Sequence, residues 1–248
     1  MKKRCLVMGI INVTPDSFSD GGMYFEPAEA MKRAMNLLRD GADILDFGGE
    51  STRPGAEPLP WEDEWARLEE VLALIGEARR KKPLEALVSI DTYHPETAER
   101  ALEHGAGMIN CVYRETALDI ARLCAKRGAA LVLPAASYDD AAAKGALPPQ
   151  DLTYIDPMIG FGTTREQDLE LLRSVPQLAS RAKVLVGASR KRIVKKLTGE
   201  KVTGKNIGGN LGIAAWCAMN GASAVRVHDV KETVQALKVL EALCESSF

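Results

Sequence analysis

The sequence predicts an α/β fold, a (β/α)8 TIM barrel formed by one domain over residues 1–248, and three observations carry that prediction. Short β-rich runs recur eight times along the chain. Helical patterns separate most of them. The length of 248 residues suits one large domain. Alternating β and α elements make a parallel sheet, open or closed, and eight such units favour closure into a barrel. A doubly wound open sheet is the alternative. It would be supported by a G-x-G-x-x-G turn after the first strand, and "MGIINV" is not one.

Each element follows from its own residues. The strands are expected at Cys5–Val13, Asp43–Gly49, Ala86–Thr92, Met108–Tyr113, Ala130–Ala135, Tyr154–Phe161, Val184–Ser189 and Ala224–Asp229. In "PAEAMKRAMNLLRDG", apolar side chains at Ala28, Met31, Ala34, Leu37 and Leu38 line one helical face, and Gly41 ends the helix. "WEDEWARLEEVLALIGEARR", "PETAERALEHG", "ETALDIARLCAKRG", "REQDLELLRSV", "GNLGIAAWCAMNGA" and "VKETVQALKVLEAL" read the same way. Between the fifth and sixth strands, "SYDDAAAKGALPPQDL" allows only about two helical turns before Gly145 and the Pro148–Pro149 pair. The fifth helix is therefore expected to be shortened or missing.

Composition narrows the function classes. Hydrophobic residues make up 46% and charged residues 27%, which fits a packed globular core. The net charge of −2 is spread along the chain, so neither a nucleic-acid face nor a polybasic membrane surface is expected. No apolar run is long enough to span a bilayer. "MKKRCLVMGI" runs directly into Asn12 and Asp16 without a small-residue cleavage site, and reads as a first strand, not a signal peptide. The five cysteines are widely spaced with no C-x-x-C, which points to reduced thiols in a cytoplasmic protein. The three histidines share no ligand spacing with them, so a Cys/His metal site is not expected.

The chemistry should lie at the C-terminal ends of barrel strands. Those ends carry Asn12, Glu50–Ser51–Thr52–Arg53, Asp91, Asn110, Asp156, Ser189–Arg190–Lys191, and Arg226 with His228. Singly, each has a plain structural explanation: a helix cap for Asp91, a turn for Asn110 or Asp156, a surface ion pair for Arg226. Seven such residues or clusters gathered on one rim make a site. Asp91, Asn110 and Asp156 suit a neutral heterocycle rich in N–H groups. Arg53, Arg190, Lys191, Arg226 and His228 suit phosphate or carboxylate. The loops "TPDSFSDGG" and "GESTRPGAEP" supply Gly, Ser and Thr for close approach to an anion. Neither Ser17 nor Ser51 has a visible His–Asp relay. The expectation is catalysis by positioning and electrostatic stabilisation, without a covalent intermediate.

The motifs "GIINVTPDSFSDGG", "GADILDFGGESTRPGA", "VSIDTY", "MIN", "IDPMIGFG", "GASRK" and "RVHDV" occur in this order over nearly the whole chain. With them the sequence resembles the dihydropteroate synthase family of pterin-binding barrels. The resemblance implies condensation of 6-hydroxymethyl-7,8-dihydropterin pyrophosphate with para-aminobenzoate, releasing pyrophosphate, in folate biosynthesis. By the resemblance, Asp91, Asn110, Asp156 and Lys191 hold the pterin, with Phe161 among the substrate-binding residues. Asn12, Arg226 and His228, helped by Arg53, hold pyrophosphate with Mg2+, Asn12 being the metal residue. Lys191, Arg226 and Asp91 are the expected catalytic residues. Thr52, Pro54, Ser189 and Lys191 lie near the aminobenzoate. Thr14, Asp16, Ser17 and Phe18 belong to a lid loop. The family is commonly dimeric, and "GIAAWCAMNGA" is an apolar helix able to meet a partner, although Trp216 is expected in the core.

Four places depart from the family pattern. Asn110–Cys111 stands for Asn-Asp, Pro134–Ala135 for Met-His, and Thr163 for Lys after "GFG"; the fifth helix is cut short. Cys111 and Pro134 are expected to repack the pterin-pocket wall. The alternatives are a divergent pterin-binding homologue without synthase activity, or a methyltetrahydrofolate:corrinoid-type methyltransferase. The latter shares the pterin-binding acids but has no need of the pyrophosphate residues.

Overall fold

The structure is a computed structural model, and it describes residues 4–14, 27–50, 58–202 and 204–245. Its strands are β1 (Leu6–Asn12), β2 (Ile44–Gly48), β3 (Leu87–Asp91), β4 (Met108–Asn110), β5 (Ala130–Pro134), β6 (Thr153–Asp156), β7 (Lys183–Val186) and β8 (Ala224–Val227). They pair in parallel in chain order, and β8 closes on β1, giving the predicted barrel. The helices are α1 (Pro27–Arg39), α2 (Trp61–Lys81), α3 (Pro95–Glu103), α4 (Arg114–Arg127), α5 (Tyr138–Ala143), α6 (Arg165–Arg173), α7 (Val175–Ala179), α8 (Arg192–Thr198), α9 (Ile207–Met219) and α10 (Val230–Glu245).

Two apolar layers follow from the two-residue period of a strand. Met8, Ile44, Met108, Ala130, Val132, Tyr154, Leu185 and Ala224 point into the barrel and fill its floor. Their neighbours in sequence, such as Val7, Leu45, Ile109, Leu131, Ile155 and Val225, point outward and pack under the helices. The next inward step above the floor is polar: Asp46 on β2, Asn110 on β4, Asp156 on β6 and Arg226 on β8 each lie two residues beyond a floor residue. The barrel thus has an apolar plug below and a polar chamber at its C-terminal mouth.

The fifth helix is short, as predicted. A single 3-10 turn at Ala135–Ser137 leads into six helical residues, and the chain then turns at Gly145 (φ 59°) ahead of Pro148 and Pro149. All eight strands end earlier than expected, four of them by two or more residues, at Asn110, Asp156, Val186 and Val227. At β6 the reason is local. The Asp156 carboxylate accepts the Met158 N–H at 2.7 Å, Pro157 has no N–H to donate, and Met158 takes a left-handed φ of 66°. Helix α8 was not legible: three of its seven residues are cationic, and buried Ile193 and Val194 are too few to display a period. Trp216 is 38% exposed, not in the core as expected: α9 turns this face away from the barrel.

Candidate active site

The mouth is organised by Arg226. Its Nε donates to Asp46 Oδ2 at 2.6 Å and its Nη2 to Asp91 Oδ2 at 2.6 Å. Asp46 is fully buried; it also accepts the Ser89 hydroxyl at 2.6 Å and the Asn110 amide at 3.2 Å. Burial opposes the guanidinium charge, but Asp46 and Asp91 outweigh it and keep Arg226 protonated. Burial pushes the Asp91 carboxyl up to about 6, against the pull of Arg226. The sequence-based division into an acceptor subsite and a cationic subsite is therefore incomplete, because Arg226 is ion-paired within the acceptor group.

Two acceptors in this group have no hydrogen-bond partner among the described residues. They are Asp91 Oδ1 and Asn110 Oδ1, both buried. Asp91 and Asn110 are register partners on adjacent strands. Buried polar oxygens are almost always paired, so two open ones side by side mark a place for N–H donors. Asp156 completes the acceptor set: a Cβ added at Gly187 would lie 3.9 Å from both Asp156 Oδ2 and Arg226 Cδ, so these two side chains flank the same glycine. Burial raises the Asp156 carboxyl pKa, opposed by Lys191 and the Met158 N–H.

Lys191 caps the group. Its ammonium donates to Ile159 O at 2.6 Å and stands 4.2 Å from the centre of the Phe161 ring. Burial lowers its pKa, with Asp156 opposing. Gly160 must be glycine here, since it has φ 79° and a Cβ would meet Lys191 Cδ at 2.9 Å. The Gly160 N–H is held by Asp168 Oδ1 (2.8 Å) and Thr163 Oγ1 (3.1 Å), and the Thr163 hydroxyl donates to Asp168 at 2.5 Å. Thr163, a departure from the family pattern, is thus part of the turn that carries Ile159 O and Phe161.

On the opposite side, Ser189 Oγ lies 3.1 Å from His228 Nδ1 and accepts the His228 backbone N–H at 3.3 Å. Which of the two atoms donates depends on the imidazole tautomer, since the hydroxyl can accept as well as donate. Burial, followed by the nearby Arg190 and Arg226 charges, lowers the His228 pKa to about 3. The neutral imidazole favoured by this burial is a poor general base for Ser189. The Arg33 guanidinium holds His228 O at 2.9 Å. Asn12 ends β1 half-buried, and Thr14 follows it in a bend. Asp16, Ser17, Phe18, Thr52, Arg53 and Pro54 lie outside the described residues.

The departures separate by strand parity. Cys111 follows inward-facing Asn110 and faces the helix layer, where its thiol donates to Tyr113 O at 3.4 Å and burial pushes it up to about 11. It does not repack the pocket wall, contrary to expectation. Ala135 packs against the same outer layer. Only Pro134, register partner of Asp156, shares the inward parity of Ala130 and Val132. Sequence reasoning missed Asp46, set in the apolar run "DILDFGG". The available signal was its spacing of two from Ile44, which places both on the inward face.

A polar chamber of paired carboxylates, open acceptors and a buried lysine, at the C-terminal mouth of a (β/α)8 barrel, defines a binding enzyme for an N–H-rich heterocycle. Residues 8–142 and 135–228, in two overlapping segments, match the family described as pterin binding enzyme. The dihydropteroate synthase of Neisseria meningitidis serogroup C is 37% identical over 272 residues, covering 96% of this chain and 92% of that protein. A Xanthomonas albilineans dihydropteroate synthase solved with 4-aminobenzoic acid superposes with a TM-score of 0.88 at 35% identity, covering 98% of this chain and 94% of that one. A second structure of the Xanthomonas enzyme, in complex with 7,8-dihydropteroate, gives 0.85 at 32% identity, covering 99% and 95% of the two chains. The chain belongs to the pterin-binding enzymes, and within them to the dihydropteroate synthase family.

Proposed function

We propose that the chain joins 6-hydroxymethyl-7,8-dihydropterin pyrophosphate to para-aminobenzoate, the dihydropteroate synthase reaction of folate biosynthesis. The amine nitrogen attacks the methylene carbon, the C–O bond breaks, and pyrophosphate leaves with the electron pair as the amine loses a proton. The observation that carries this reading is the pair of buried, unpartnered acceptors, Asp91 Oδ1 and Asn110 Oδ1, beside Asp156 in the barrel mouth. In this reading those oxygens take the pterin N–H groups, and Lys191 and Phe161 close the pocket. His228 receives the pyrophosphate together with Asn12 and Arg53, while Arg226 holds the Asp46 and Asp91 side chains in place. Ser189, Thr52 and Pro54 contact the aminobenzoate, and Thr14, Asp16, Ser17 and Phe18 form the lid.

Mg2+ fits the donor set at the anion end. Asn12 offers one amide oxygen at the mouth end of β1. That suits a cation usually held by one or two protein ligands, substrate phosphates and water. Bound there, it would offset the charge on the departing pyrophosphate. We assign the chain to the cytoplasm on the strength of its five free thiols. We assign a homodimer to the neighbouring helices α9 and α10, where Trp216, Met219, Val239 and Leu243 are exposed. Sedimentation of wild type and Trp216→Glu tests the dimer, which the substitution should dissociate.

The reaction is tested by incubating the purified chain with the pterin pyrophosphate, labelled para-aminobenzoate and Mg2+. Labelled dihydropteroate and free pyrophosphate are expected in equal amounts. Pterin binding without product would identify the non-catalytic homologue instead.

A further inference from the structure

Asn210 lies on α9, and its side chain reaches the mouth from behind the loops that carry the proposed ligand contacts. It is 5% exposed. Its Oδ1 accepts the Arg190 backbone N–H at 3.0 Å, and its Nδ2 donates to Asp229 Oδ2 at 3.2 Å. The Arg190 guanidinium is ion-paired to the other oxygen of the same carboxylate, Asp229 Oδ1. Three residues from three separate segments therefore close one ring of hydrogen bonds.

The ring lies between two groups of the site. Ser189 and Lys191 flank Arg190, and His228 precedes Asp229. Arg190 has φ 61°, a left-handed backbone uncommon for a residue with a side chain. Such a conformation persists only where the surroundings hold it, and the Asn210 carbonyl is what receives the N–H of this residue. The approach of α9 is also fixed. A Cβ added at Gly209 would lie 2.5 Å from Thr198 Cγ2 and 2.8 Å from Val194 Cγ1, so α9 sits against α8 at a distance only glycine permits.

We propose that Asn210 is a positioning residue for the reaction. Its carboxamide holds Arg190 in the left-handed conformation and ties the Ser189–Lys191 loop to the His228–Asp229 loop, fixing the spacing between the pterin and pyrophosphate contacts. A primary amide is suited to this place, because it offers one acceptor and one donor on a single plane. The inference rests on the synthase reading for what the two loops bind.

A double-mutant cycle tests it, with Asn210→Ala made in the wild type and in Arg190→Gly. Glycine adopts positive φ without support, so the hold that Asn210 provides should matter less once residue 190 is glycine. In the otherwise wild-type chain, Asn210→Ala should lower kcat at least tenfold. In the Arg190→Gly background it should cost less than threefold relative to Arg190→Gly alone. Equal losses in the two backgrounds overturn the proposal, as does a lowered melting temperature with kcat unchanged. If Asn210→Ala does not fold, Asn210→Ser carries the same cycle. If the wild type makes no dihydropteroate, the cycle is read by calorimetry on affinity for inorganic pyrophosphate. Non-additivity there would sustain the role of Asn210 while the synthase reading fails, and additivity or absent binding would overturn both.

Discussion

Replacing Arg226 by alanine should harm the pterin pocket as much as the anion site, although the sequence alone suggests that bare pterin binding would survive. The guanidinium is shared by two carboxylates at 2.6 Å each, one of them fully buried. Removing it leaves Asp46 and Asp91 without the guanidinium that pairs them, with only the weaker pull of Lys191 remaining on Asp91. Breaking a buried pair by deleting one partner costs about 3–5 kcal/mol. In a chain of this size each kcal/mol moves the midpoint by about 2–4 °C, so a fall of about 6–20 °C is expected. The second consequence is chemical. Arg226 is the main influence lowering the pKa of Asp91, which already stands at about 6. Without it the Asp91 pKa should rise further, favouring the protonated form, a donor where the pterin needs an acceptor. Bare pterin affinity should fall at least tenfold, about 1.4 kcal/mol. Calorimetry with a bare pterin and with pyrophosphate measures both, and Asp46→Asn in the same background should recover part of the lost stability. Unchanged midpoint and unchanged pterin affinity in Arg226→Ala would refute the argument.

Other expectations concern the same chamber. Asp156→Asn replaces an acceptor pair by one acceptor and one donor, leaving at least one pterin N–H unpaired at about 1–3 kcal/mol; calorimetry should show a loss of roughly five- to 150-fold. Thr163→Val removes the hydroxyl shared by Gly160 and Asp168, and should lower the unfolding free energy by about 1–3 kcal/mol, read by urea denaturation. Glu64 is buried and its carboxyl is pushed up to about 7 by that burial, opposed by the Thr92 hydroxyl. Between its ordinary value of 4.5 and about 7 the folded state binds more protons than the unfolded state, so the Glu64 contribution to stability is lost as pH rises through that window. Glu64→Gln should therefore become less destabilised, relative to wild type, between pH 4.5 and 7, as followed by denaturation at a series of pH values.

The barrel was legible because eight β-rich runs and their helices repeat a strong local signal, and the Gly145 and Pro148–Pro149 cluster stopped the fifth helix where expected. The rim residues were legible as short polar side chains that close apolar strands. What escaped depends on which way a side chain faces. Asp46 was hidden in an apolar run, although its parity with Ile44 puts it inside. Cys111 is one residue past Asn110 and so faces the helices. Arg226 and His228 share one parity, as the sequence implies, yet Arg226 sits deeper and meets carboxylates from β2 and β3 that lie far away in the chain. Asn210 gave no signal, because its partners come from two other loops and from a backbone conformation that residue identity does not encode.

The central claim is that the barrel mouth binds a pterin through Asp91, Asn110 and Asp156. The most direct measurement is a calorimetric titration of a bare dihydropterin into wild type, Asn110→Leu and Asp156→Asn, each first shown to be folded. One site per chain is expected, with affinity at least fivefold weaker in each variant. Absence of saturable binding in the wild type, or equal affinity in all three proteins, would contradict the account.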